Sequence, residues 1–302
     1  MIVAAIDVGS NTLRLLIAEV NNGKIVKILH EDRKITRLAE NLIYTHKLND
    51  AAIDRTIKAL KTFKDICNRF MPHKIKIVAT SAGREAENSN VFLNKAKEIG
   101  FDIELIDGTK EGYYTYLGVA SVVKISDKKC VIFDIGGGST EFIYTENGAI
   151  THINSIAMGV VKIANTFDLN HIVDGHTKDG ICAFIKEHLQ RLNSSINPDL
   201  IIGTAGTVTT IAAIDLELDK YNSTFINNYK LEYENIEKIY EKLAHLPACK
   251  RLKIKGLEAG REDLIIAGTL MVLEILEYFS KNFLIVSDYG LREGLAIAAN
   301  LD

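Results

Sequence analysis

Cysteine is scarce: Cys67, Cys130, Cys182 and Cys249 are the only four in 302 residues, and they are scattered without paired spacing. That pattern argues against a disulfide framework and a zinc site, and it predicts reduced, cytoplasmic thiols. Three of the four stand in apolar or helical surroundings, where cysteine behaves as a small buried hydrophobe. An excess of one charge is missing as well. Lys and Arg number 36 against 39 Asp and Glu, a net charge of −3, so nothing global attracts nucleic acid or an anionic membrane. No apolar run approaches the ~20 residues of a membrane span. The eight histidines fall at no metal-binding spacing. No leader segment is expected, because an apolar strand and its turn begin almost at the first residue.

What is present is an ordinary globular composition, 47% hydrophobic and 25% charged, in a chain long enough for two domains. It is organised around residues 131–145. Val131, Ile132 and Phe133 read as a buried strand ending in Asp134, followed by Gly136, Gly137, Gly138, Ser139, Thr140 and Glu141, then a second apolar strand. Three glycines permit positive φ and close approach of a ligand, and successive N–H groups in such a turn can form an anion nest. A glycine-rich hairpin without any ligand would look the same in isolation. The stretch is not isolated. Residues 4–20 repeat it: an apolar strand ends in Asp7, then come Gly9, Ser10, Asn11 and Thr12, then another apolar strand. Both copies run on to an Asn-Gly hairpin signal, Asn22-Gly23 and Asn147-Gly148. A repeat separated by more than a hundred residues implies two similar domains, with the two turns facing one another across an interdomain cleft.

Between the copies, Asn49 and Asp50 signal the start of a helix reaching residue 70, and residues 74–80 alternate as a strand. A helix is expected to begin near Ser81, placing Arg84 in its first turn, where the helix dipole disfavours a cation. Arg84 is then either held for a ligand phosphate or a solvated arginine. Thr109 is expected to cap the next helix, with Glu111 in its first turn; spacing alone gives Glu111 no catalytic role. In the second half, Gly203-Thr204-Ala205-Gly206-Thr207 is a third glycine turn opening onto a helix. It suits a ligand or close helix–strand packing equally well. Residues 222–230 read as a loop or short extended segment, 232–246 and 261–280 as helices, and 283–287 as the last strand. Lys250, Arg251, Lys253, Lys255 and Arg261 form the most basic run, either a solvated face or a track for a long anionic chain.

Six ordered motifs then carry a resemblance. They are Asp7–Thr12, Thr80–Asn88, Glu111 ahead of Tyr116-Leu117-Gly118-Val119, Asp134–Glu141, Gly203–Thr207 and Ser287-Asp288-Tyr289-Gly290-Leu291-Arg292-Glu293-Gly294. Together they resemble the exopolyphosphatase and guanosine pentaphosphate phosphohydrolase family, in its short two-domain form. The resemblance implies an α/β fold of duplicated actin/hexokinase/Hsp70-like (ribonuclease H-like) domains, residues 1–121 and 122–302, with the last helix free to pack back on the first. It implies metal-dependent hydrolysis of the terminal phosphate of inorganic polyphosphate, with Glu111 as general base and Glu141 and Arg84 as further catalytic residues. Phosphate binding falls on Gly9, Ser10, Asn11, Thr12, Gly136, Gly137, Gly138, Ser139 and Gly206. Mg²⁺ or Mn²⁺ falls on Asp134, Glu141 and Asp7. Guanosine pentaphosphate hydrolysis and a weakly active guanosine tetraphosphate-binding regulator are the alternatives. The expected partners are these polyanions, with no nucleic acid and no membrane, in a cytoplasmic protein with room for a homodimer. The chain departs from the family at Lys110, where an acidic residue is usual, and at Tyr113, where an arginine is usual.

Overall fold

A computed structural model describes residues 1–192 and 196–301. The chain forms two compact units. One is Met1–Ser121 joined by the segment from Tyr289 on; the other is Val122–Asp288. The closing helix Leu291–Leu301 belongs to the first unit, the packing back that the resemblance allowed, so the second unit ends at Asp288.

The first unit holds strands β1 (Ile2–Val8), β2 (Thr12–Asn21), β3 (Lys24–Ile35), β4 (Lys74–Ala79) and β5 (Glu104–Leu105) in the order β3-β2-β1-β4-β5. β1 runs antiparallel to β2 and parallel to β4. β1 is almost wholly apolar because both of its faces are covered. Ala4, Ile6 and Val8 enter one core, and Val3 and Ala5 enter the other. The helices are α1 (Leu42–Thr45), α2 (Asp50–Phe70), α3 (Ser81–Glu85), α4 (Ser89–Glu98) and α5 (Gly108–Ala120). Asn49 caps α2 as expected, its Oδ1 accepting the Ala52 N–H at 2.7 Å. The apolar positions Ile53, Ile57, Leu60, Phe63 and Cys67 recur at helical spacing and fill the first core. Burial there pushes the Cys67 thiol up to about 11.

Two expectations at helix starts are corrected. The cap of α5 is Asp107, whose Oδ1 accepts the Lys110 N–H at 2.8 Å, so the helix begins one residue before Thr109. α3 has only five residues, and Arg84 lies in its last turn, where a cation is favoured rather than disfavoured. The helix dipole therefore does not disfavour Arg84 where it stands.

The second core is closed by the C-terminal helix packed on α5. A Cβ built on Gly294 would lie 1.7 Å from the Tyr114 carbonyl oxygen, and one on Gly118 2.1 Å from that of Gly290. The two helices thus touch backbone to backbone. Glu293 is buried and its Oε2 accepts the Gly290 N–H at 2.9 Å, capping the helix.

The second unit repeats the plan. Strands β6 (Lys129–Ile135), β7 (Thr140–Glu146), β8 (Ala149–Ile156), β9 (Leu200–Thr204), β10 (Lys230–Glu232) and β11 (Phe283–Val286) order as β10-β11-β9-β6-β7-β8. From β8 to β11 this is the order of the first sheet, with the same directions, and β10 adds an antiparallel edge. Both Asn-Gly hairpins adopt left-handed turns, with φ of 48° and 68° at Asn22-Gly23 and 52° and 77° at Asn147-Gly148.

Its helices are α6 (Val160–Phe167), α7 (Gly175–Leu189), α8 (Ala205–Asp215), α9 (Ser223–Ile226), α10 (Tyr233–Ala244), α11 (Ala248–Arg251) and α12 (Ile265–Tyr278). Leu264, Ala267, Met271 and Ile275 are core as expected, although the helix starts later than residue 261. The 222–230 stretch, read as a loop or short extended segment, contains the unexpected α9 and ends where β10 begins. Among the described residues, no helix is long and apolar enough to cross a membrane.

The basic run does not stay together. Lys250, Lys253 and Lys255 are exposed, but Arg251 is fully buried. Its Nε donates to the Leu243 carbonyl at 3.1 Å, Nη1 to Leu169 and Glu262 at 2.6 and 2.9 Å, and Nη2 to His171 at 2.7 Å. Burial lowers its pKa below the usual guanidinium value. Arg251 is therefore a staple between the end of α10 and two loops, and it belongs to no substrate track. Arg251→Lys should cost about 3 kcal/mol or more, since one ammonium cannot satisfy four divergent carbonyls and each buried orphan costs about 1–3 kcal/mol. The measurement is thermal melting; an unchanged midpoint in Arg251→Lys would refute the staple.

Candidate active site

The two glycine turns share one geometry. Gly9 N–H donates to the Thr12 carbonyl at 3.0 Å, and Gly136 N–H to that of Ser139 at 3.0 Å. Both turns are tied from behind through their carbonyls. Thr36 and Arg37 N–H groups donate to Asn11, and that of Ala39 to Ser10. In the second unit the first N–H groups of α6, from Val160 and Val161, donate to Gly136 and Gly137. With their carbonyls engaged, the turns are left with N–H groups as the chemistry they can offer a ligand, the pattern of an anion nest. Ser10, Asn11, Thr12 and Ser139 are all buried in these turns.

In the first unit, Asp7 ends β1 and stands opposite Arg14 of β2 in the ladder. Both lie on the sheet face that α5 covers, the face of Val3, Ala5, Leu16 and Ala18. The beginning of α5 supplies Glu111, which is 6% exposed, and the end of β4 leads into α3 and Arg84. Arg84 Nη1 donates to Glu111 Oε2 at 2.9 Å and to the Ile106 carbonyl at 2.7 Å. A guanidinium has five N–H donors, so Nε and Nη2 remain beside the two bonds made here. Asp7, Arg14, Arg84 and Glu111 thus cluster at the carboxyl ends of two parallel strands, where open α/β sheets usually bind ligands.

In the second unit, a row crosses four strands: Thr204 of β9, Asp134 of β6, Glu141 of β7 and Ser155 of β8. Asp134 is 8% exposed and Glu141 fully buried. Two carboxylates directly opposite on adjacent strands repel unless a cation or hydrogen-bond donors offset them. That donor set fits Mg²⁺ or Mn²⁺, hard cations that take one or two protein carboxylates and leave the rest of the shell to water and phosphate oxygens. Among the described residues, no three His, Cys, Asp or Glu side chains gather as a metal cage. A site built on one protein carboxylate pair is what the second unit offers. Thr204 belongs to the third glycine turn, but Ser155 carries no motif. Their positions opposite Glu141 and Asp134 follow from strand register alone.

The third turn is packed against an arginine. A Cβ on Gly206 would lie 2.0 Å from Arg261 Nη2, so the buried Arg261 guanidinium rests on that glycine. Arg261 Nε donates to Glu258 Oε2 at 2.8 Å. Arg261, like Arg251, therefore leaves the exposed basic run. Ala205, just before Gly206, holds a left-handed φ of 67°, a strained value for a residue with a side chain.

Two α/β units of one topology, each with a tethered glycine turn after its first strand, define the class: a duplicated α/β fold. The chain belongs to the Ppx/GppA phosphatase family, whose profile matches residues 16–301. It is 35% identical over 299 residues to the bifunctional 3-dehydroquinate synthase/phosphatase of Fusobacterium nucleatum; the match covers 94% of this chain but 44% of that protein. It is 25% identical to exopolyphosphatase 2 of Mycobacterium tuberculosis, over 98% of both chains. The crystal structure of the Aquifex aeolicus Ppx/GppA family member superposes with a TM-score of 0.85 at 33% identity, covering 100% of this chain and 98% of that one.

Proposed function

We propose that this protein is an exopolyphosphatase that removes the terminal phosphate of inorganic polyphosphate with the help of Mg²⁺ or Mn²⁺. It is a hydrolase of phosphoanhydride bonds. The observation that carries the residue assignment is the Arg84–Glu111 pair, 2.9 Å apart at the carboxyl ends of β1 and β4. A buried carboxylate at a helix start, held by one guanidinium nitrogen, is oriented for a single task.

In this reading Glu111 takes a proton from the water that attacks the terminal phosphorus. Arg84 holds Glu111 through Nη1 and offers Nε and Nη2 to the phosphate oxygens whose charge grows in the transition state. Inside the turns that the Gly9 and Gly136 N–H groups close, the N–H groups of Ser10–Thr12 and Gly137–Ser139 bind the bridging and non-bridging oxygens of the chain. Asp134 and Glu141 would hold the divalent cation, which neutralises phosphate charge when bound. Asp7 is a further candidate ligand, set opposite Arg14 in its own unit.

The test is phosphate release from long-chain polyphosphate, tripolyphosphate, guanosine pentaphosphate and ATP in parallel, with and without excess chelator. Long-chain polyphosphate should be hydrolysed at least about tenfold faster than guanosine pentaphosphate or ATP, and chelator should abolish the activity. Faster release from guanosine pentaphosphate would replace this reading by the second activity of the family. In the same assay, neutralising the exposed Lys250, Lys253 and Lys255 should slow long chains and spare tripolyphosphate, because remote contacts help only ligands that reach them.

A further inference from the structure

The carboxylate pair is supported from one side. Ser155 Oγ donates to Glu141 Oε1 at 2.8 Å. We propose that Ser155 is a positioning residue that fixes the Glu141 carboxylate and through it sets the affinity of the chain for a divalent cation. The inference rests on the reading of Asp134 and Glu141 as cation ligands.

Three observations support it. First, Glu141 is fully buried while Ser155 is exposed, so the donor sits at the rim of the row and the acceptor inside it. A glutamate has three rotatable bonds, and anchoring one oxygen removes most of their freedom before any cation arrives. Second, the equivalent row of the first unit reads Val78, Asp7, Arg14 and Arg33. There the aspartate faces arginine across the ladder. In the second unit it faces another carboxylate, so of the two rows the second gathers the negative charge that a cation offsets. Third, the register that brings Ser155 to Glu141 is specially made. Thr145 pairs with Ile150, but Tyr144 pairs with His152, so a bulge between Tyr144 and Thr145 advances β8 by one residue. Without it Asn154 would oppose Glu141, and by strand alternation Ser155 would point to the other face.

Groups that hydrogen-bond a metal-ligating side chain typically change metal affinity by 10–100-fold when removed. Ser155→Thr keeps the hydroxyl on a branched side chain, and Ser155→Val has the same shape without it. Mn²⁺ titration of the full chain, read by electron paramagnetic resonance without any phosphate, separates the two. Ser155→Thr should bind Mn²⁺ within about threefold of the unaltered chain, and Ser155→Val at least tenfold more weakly. Equal affinity in the two variants would overturn the proposal, as would absence of Mn²⁺ binding by the unaltered chain. If the Mn²⁺ difference appears but no polyphosphate is hydrolysed, the exopolyphosphatase reading fails while the role of Ser155 stands.

Discussion

Glu111→Gln is expected to lower kcat on polyphosphate by about 10²–10⁴-fold, the usual size of a lost general base. The substitution keeps the shape of the side chain and removes its ability to take a proton. The amide oxygen can still accept from Arg84, so the anchor between α3 and α5 survives and the fold should melt within a few degrees of the parent chain. Substrate binding should persist, since the glycine turns and the carboxylate pair are untouched. The loss therefore falls on kcat rather than KM, as for an interaction made only in the transition state. Glu104→Gln is the control. Glu104 is also a unit-one glutamate near the start of α5, but it is exposed and contacts Lys110. Its replacement should leave turnover within about twofold, because surface ion pairs contribute little. Turnover in Glu111→Gln close to that of Glu104→Gln would remove Glu111 from the base role.

How much of this was legible in the sequence depended on the range of the forces involved. The repeated Asp-x-Gly turns and the two Asn-Gly hairpins are local signals, and the structure gives both copies the same hydrogen bond and left-handed φ values. Residue identity sufficed there because glycine and asparagine act on their own backbone. The two cores of the first unit were likewise foreshadowed by a first strand with no polar face. Long-range events were hidden. Arg251 and Arg261 read as surface charge, because a run of basic residues does not announce that carbonyls some eighty positions earlier in the chain will receive one guanidinium, or that Gly206 will lie under the other. β10 has three residues, too few for any periodicity. Asp107 and Thr109 compete as caps with similar chemistry, and only the fold decides between them. Ser155 was invisible for a subtler reason. Counting back from the Asn147-Gly148 turn places Asn154 opposite Glu141, and the bulge that corrects the count leaves no signature in sequence.

The C-terminal motif was legible as a motif but not as a contact, and a large effect is expected there. Gly294→Ala should destabilise the first unit by about 2 kcal/mol, lowering its melting point by ~5–10 °C. Alanine is the better helix former by about 1 kcal/mol, so propensity alone predicts the opposite sign. Packing wins because the new Cβ would start 1.7 Å from the Tyr114 carbonyl oxygen, a backbone atom of α5 that no rotamer change can clear. The helices must separate by more than an ångström. Tyr114 lies one turn from Glu111 on the same helix, so the displacement reaches the proposed base. A misplacement of about 1 Å can cost on the order of 10²-fold in rate, and kcat should fall well below the melting range. Gly175→Ala serves as the control, since a Cβ at that helical position meets nothing within 4 Å and should stabilise by a few tenths to about 1 kcal/mol. Gly118→Ala attacks the same crossing from α5, with its Cβ 2.1 Å from the Gly290 carbonyl oxygen. The double variant should then lose less than the sum of the two single losses, because the second methyl enters a crossing the first has already opened. Full additivity would mean that the two glycines sit in independent contacts and that the C-terminal helix does not set the position of α5.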